Sequence, residues 1–84
     1  MNPKQRRTLR ALFATPTRAN VRFSDIEALI VGLGGEIREG AGSRVACELK
    51  GRRAYLHRPH PGREAKRYQV EEVREFLRSL EIQP

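Results

Sequence analysis

The sequence predicts an α+β fold: a basic N-terminal helix, then a helix, a three-stranded antiparallel sheet and a final helix. Three observations predict it. Ile26, Leu29, Ile30 and Leu33 recur at helical spacing, and so do Val70, Val73, Leu77 and Leu80, with Phe76 beside them. Between these stripes, Val45, Cys47 and Leu49 alternate with Arg44, Ala46, Glu48 and Lys50, the period-two pattern of a half-buried strand. Glycines punctuate the stretch between the helices at Gly34, Gly35, Gly40, Gly42 and Gly51, where short strands would have to turn.

Taken in order, Asn2-Pro3 has the chemistry of a helix start, with Asn2 as N-cap and Pro3 at the first helical position. Leu9, Leu12 and Phe13 share a face from which Lys4, Arg6, Arg7 and Arg10 mostly point away. Pro16 disfavours helix at Thr15, so this helix is expected to end near Ala14. Residues 1–22 are therefore expected to form a basic helix and linker, followed by a domain over 23–84. Ser24-Asp25-Ile26-Glu27 has the form of a capping box: the Ser24 hydroxyl would meet an orphan amide and Glu27 would reach back. Gly32, Gly34 and Gly35 are expected to end that helix.

A first strand is centred on Ile37, and Gly40-Ala41-Gly42 turns the chain into a second. Lys50-Gly51 suits a two-residue hairpin loop, with the third strand running from Arg52 to Arg58. That loop sets a register with Leu49 opposite Arg52. On the inner face Cys47 then meets Ala54 and Val45 meets Leu56. On the outer face Glu48 meets Arg53, Ala46 meets Tyr55 and Arg44 meets His57. The loop from Arg58 to Lys66 leads into the last helix, where Glu71 and Glu72 are expected near the N-terminal dipole and Arg78 near the other end.

A chain of 84 residues makes one small domain, with no spare volume for a deep substrate cavity. Its 17 Lys and Arg against 10 Asp and Glu give a formal net charge of +7. The excess sits in two blocks, residues 1–22 and 52–67, and the segments after each are mildly acidic. Two basic patches on a mixed surface favour a polyanion over an acidic metabolite, RNA first, although an acidic protein partner fits the charge equally well. The second block also holds both histidines, His57 and His60, the residue type best suited to acid–base work under physiological conditions. The single cysteine, Cys47, lies between apolar positions and reads as a small buried hydrophobe. It excludes an internal disulfide and a cysteine-based zinc site. Two histidines with no carboxylate at ligand spacing make no metal site. With no long apolar run and no signal-peptide pattern, a cytoplasmic protein without cofactor or membrane partner is expected.

Such a domain can still cleave RNA on chemical grounds. The 2′-hydroxyl can attack its own neighbouring phosphate if it is given a base, an acid and a cation for the developing charge. Histidine and arginine are sufficient residue types.

A helix at 24–33, the run Gly34–Gly40, Gly42-Ser43, two further strands, Pro59-His60-Pro61-Gly62-Arg63-Glu64 and a final helix together resemble the HicA-type toxins of bacterial toxin–antitoxin pairs. The resemblance covers roughly residues 23–82, and residues 1–22 extend beyond the usual family domain. It implies a fold like the double-stranded-RNA-binding domain, a metal-independent mRNA interferase, and a HicB-like antitoxin that covers the active face. The family pattern carries its cleavage histidine directly after the Gly-Ser pair. Here that position is Arg44, which stays protonated and cannot act as a base. His57, expected directly opposite on the facing strand, offers a relocated imidazole. The candidate centre is then His57, Arg44 and His60. Ser43, Arg53, Tyr55, Arg58, Arg63, Lys66 and Arg67 would bind mRNA through its phosphates and a base. Two alternatives stay open: an RNA-binding module on the same fold that does not cut, and a protein-interaction domain whose basic face meets an acidic antitoxin.

Overall fold

The computed structural model describes residues 1–84. Its elements run α1 (Pro3–Leu12), α2 (Phe23–Gly32), β1 (Glu36–Glu39), β2 (Arg44–Leu49), β3 (Arg52–His57) and α3 (Arg67–Ser79). The strands form one antiparallel sheet in the order β1-β2-β3. This is the expected α+β arrangement, helix–sheet–helix as in double-stranded-RNA-binding domains, with an added N-terminal helix. The core is a single cluster: Ile26, Leu29 and Ile30 from α2, Val70, Val73 and Leu77 from α3, Leu9 and Leu12 from α1, and the inner faces of β2 and β3. Leu29, wholly buried in the middle of α2, shows the scale: its truncation to Ala would cost about 2–5 kcal/mol. The helices cover one face of the sheet. The other face, with Arg44, Ala46 and Glu48 on β2 and Arg53, Tyr55 and His57 on β3, has no element over it.

Local chemistry accounts for most boundaries. Asn2 caps α1 as expected, and Gln5 completes a capping box: Gln5 N–H donates to Asn2 Oδ1 at 2.8 Å and Asn2 N–H to Gln5 Oε1 at 3.1 Å. The helix stops at Leu12, two residues before Ala14, because its carbonyls find a partner on α3. Arg74 Nε donates to Leu12 O at 2.7 Å and Nη2 to Ala14 O at 3.2 Å, satisfying orphan acceptors with a cation at the negative end of the dipole. Gly34, at φ +93, ends α2 in a Schellman motif: Gly34 N–H donates to Val31 O at 3.0 Å and Gly35 N–H to Ile30 O at 2.9 Å. Lys50 at φ 52 and Gly51 at φ 77 form the left-handed pair of a type I′ turn, the geometry that matches the strand twist.

Two expectations about helix starts fail. The capping box at Ser24 does not form, because α2 begins at Phe23 with Arg22 as an N-cap that makes no side-chain bond. Long-range pairing takes over the chain there. Phe23 N–H donates to Arg63 O at 2.9 Å and Ala65 N–H to Val21 O at 2.8 Å, an antiparallel bridge of Arg22 with Glu64. Burial of Val21, Phe23 and Ala65 fixes this stitch, and tertiary packing overrides the local cap. In α3, which begins at Arg67, no acid lies in the first turn. Glu71 and Glu72 therefore fall beyond the orphan amides where the dipole is felt.

Candidate functional site

The hairpin register is the one its turn requires: Arg44 pairs with His57, Ala46 with Tyr55, Glu48 with Arg53 and Leu49 with Arg52. Arg58 N–H donates to Ser43 O at 2.8 Å, so the ladder runs one pair past the strand ends. The Arg44–His57 pair is then of the kind that exchanges no backbone bonds, in which facing side chains approach most closely, about 4.5–5.5 Å between Cβ atoms. Both side chains are exposed.

The backbone groups of His57 point away from β2, towards the open edge of the sheet, where they are clasped by a side chain. His57 N–H donates to Gln69 Oε1 at 2.7 Å, and Gln69 Nε2 donates to His57 O at 2.7 Å. The Gln69 amide, only 2% exposed, stands in for the peptide of a missing fourth strand. The same contact anchors α3 to β3. Gln69 was not among the candidate residues. The available signal was a polar residue on the inner stripe, in line with Val73 and Leu77. The ring of His57 is approached by Ser43, whose Oγ lies 3.5 Å from Nδ1, at the long end of hydrogen-bond range.

Arg58, which follows His57, is engaged inside the molecule. Its Nη2 lies 2.7 Å from Glu27 Oε2 and its Nη1 2.5 Å from Glu39 Oε2, so one guanidinium ties the end of β3 to α2 and β1. The hydrogen bond from Arg58 holds the Glu39 carboxyl below its ordinary range, and the two carboxylates raise the pKa of Arg58. Arg53 is likewise paired, its Nε lying 2.6 Å from Glu48. Arg67 Nε donates to Thr17 O at 3.3 Å.

Arg44, Arg63 and Lys66 make no ion pair and are exposed. His60 stands exposed on the loop between Pro59 and Pro61, with no side-chain hydrogen bond. Tyr55 is 58% exposed on the open sheet face, beside a shallow depression of about 240 Å³ lined by Arg38, Ala41, Arg44 and Ala46. The structure thus gathers Ser43, Arg44 and His57 at one end of the sheet, with Arg58 adjoining. It leaves Arg53 and Tyr55 along the face, and Arg63, Lys66 and Arg67 on the way into α3.

No three His, Cys, Asp or Glu side chains converge as metal ligands would. Cys47 is buried in the core, and burial pushes its thiol up to about 11. No helix is long and apolar enough to cross a membrane.

No curated protein and no solved structure matches the chain. A family model does: the HicA toxin of bacterial toxin–antitoxin pairs, over residues 23–82. The match spans α2 to α3, includes every candidate residue, and leaves α1 and the linker outside. The chain therefore belongs to the HicA toxin family, and as the toxin of such a pair it has an antitoxin for a partner.

Proposed function

We propose that this toxin binds mRNA across the Ser43–Arg44–His57 end of the sheet and the 59–67 loop, and cleaves it as a metal-independent endoribonuclease. The observation that carries the reading is the direct opposition of Arg44 and His57. It puts an imidazole across the sheet from the position where the family pattern has one, next to a permanent cation. In the tautomer that carries its proton on Nδ1, the side facing Ser43 Oγ, His57 presents the Nε2 lone pair to take the 2′-hydroxyl proton. The 2′-oxygen then bonds to phosphorus, the bond from phosphorus to the 5′-oxygen breaks, and a 2′,3′-cyclic phosphate remains. Arg44 meets the charge that builds on the phosphoryl oxygens. The departing 5′-oxygen takes its proton from His60, a role that water can partly fill.

Arg63, Lys66 and Arg67 hold the backbone on the approach to α3, and on the open face Tyr55 offers a ring on which a base can stack, beside Arg53, which stays paired with Glu48. Arg58 belongs to the frame, since both its carboxylate partners are intramolecular. A HicB-like antitoxin would silence the toxin by covering this face, and the action on mRNA puts it in the cytoplasm.

The test is cleavage of RNA by the full chain in EDTA, wild type beside His57→Ala and His60→Ala. The expected result is a 10²–10⁴-fold loss in His57→Ala and a loss of about tenfold in His60→Ala. Undiminished cleavage by His57→Ala would put the centre elsewhere. The presence of Arg44 at the family's histidine position supports a second reading, a binder that does not cut. It predicts intact RNA bound tightly and in a salt-dependent way, whereas weak, salt-insensitive binding would indicate a domain that meets only an acidic protein.

A further inference from the structure

Sorting the cations by what they touch separates two populations that look alike in the sequence. Arg38, Arg53, Arg58 and Arg78 are paired with carboxylates, and Arg74 is spent on the carbonyls of Leu12 and Ala14. Arg7, Arg18 and Arg22 make no ion pair and no side-chain hydrogen bond, although all three line one groove of about 220 Å³ between α1, the linker and the start of α2. Lys4 lines it too, and the single acid there, Asp25, lies 3.4 Å from Lys4 Nζ.

From this we infer that the α1–linker groove is a second binding site for the RNA sugar–phosphate backbone, built from residues outside the family match. The inference rests on the reading that this toxin binds RNA. Three further observations support it. The walls are held in place: Thr17 Oγ1 donates to Glu71 at 2.9 Å and accepts from Arg74 at 3.1 Å, so the linker is pinned to α3 and the arginines are presented on a fixed frame. The groove leads to the candidate site, because Arg22 also lines the neighbouring cavity with Arg58, Pro59, Gly62 and Arg63. And the lining offers no apolar anchor for a protein segment. Its apolar members are Ala11 and the buried Val21, and the exposed large apolar side chains of the chain, Met1, Val31, Tyr55 and Tyr68, all lie elsewhere. Guanidinium groups with open hydrogen-bond forks, close together and without apolar neighbours, suit phosphate oxygens. A strand held at the 59–67 loop would continue along Arg22 to Arg18 and Arg7.

The experiment uses a single-stranded RNA with 2′-O-methyl groups, which lacks the nucleophile, and reads its affinity for the full chain over a series of salt concentrations. Arg7→Gln/Arg18→Gln should weaken binding about tenfold and flatten the slope of log affinity against log salt by about 1.4, two phosphate contacts at about 0.7 each. Lys50→Gln/Arg52→Gln removes the same charge at the far end of the sheet and should change affinity less than twofold. Equal losses in the two double variants would reduce the effect to net charge and overturn the groove. So would an unchanged slope in Arg7→Gln/Arg18→Gln, or that variant keeping its RNA affinity while losing the purified antitoxin, which would give the groove to the protein partner. If Arg44→Gln weakens RNA binding but the groove variant does not, the groove falls alone. If wild type binds no RNA, the functional reading falls with it.

Discussion

His57 and His60 sit three positions apart in the same basic block, and the fold treats them differently. The backbone of His57 is clasped on both sides by a buried amide, its ring lies against Ser43 and an arginine faces it across the strand pair. His60 is flanked by prolines that stiffen the chain, but nothing aims its ring. A base must be held within a fraction of an ångström of its proton, so the difference in support predicts a difference in role, even though the two imidazoles are chemically equal.

The comparison breaks first on cleavage, where His57→Ala and His60→Ala should differ by tenfold or more in rate. Gln69→Ala tests the cause of the difference. It leaves the His57 N–H and C=O without partners at the edge of the core, and should lower stability by about 2–4 kcal/mol. A thermal melt would show this as a drop of roughly 10–20 °C for a domain of this size. An unchanged melting temperature would mean that the clasp holds nothing. Arg58→Gln sharpens the contrast between framing and binding cations. Its two ion pairs lie at the surface, so the variant should melt close to wild type, and the small difference should shrink at high salt. Lys66→Gln should instead leave stability alone and reduce the salt slope of RNA binding by about 0.7.

The smallest effect is at Cys47, whose thiol is raised from 9.0 to about 11 by burial. The folded state keeps a proton that the unfolded chain releases. This contribution is complete below about pH 9 and is lost as pH rises towards 11. At neutral pH an alkylating reagent should label Cys47 only as fast as the protein opens.

How far the sequence could be read follows from how local each determinant is. The Lys50-Gly51 turn requires two left-handed residues, and that alone sets the β2–β3 register and brings Arg44 opposite His57. The α2 and α3 stripes were legible because period and apolar content agree. Ser24 to Glu27 looked like a capping box because the motif is local, whereas the bridge that displaced it joins Arg22 to Glu64 across half the length of the chain. Arg58 could not be told from Arg63 or Lys66 in a basic run, since its partners lie 31 and 19 positions away. Gln69 was readable in principle as the one polar side chain in an apolar stripe, but its partner was not, because a backbone edge leaves no mark on composition.

The guanidinium of Arg74 has a consequence for how the molecule opens. Because α3 supplies the acceptor-satisfying group at the end of α1, the first helix cannot fray without stranding a cation of the last. The two ends of the chain therefore belong to one cooperative unit. In native-state hydrogen exchange, amides in the last turn of α1 will open together with those around Arg74, at a free energy well above that of a short terminal helix left to itself.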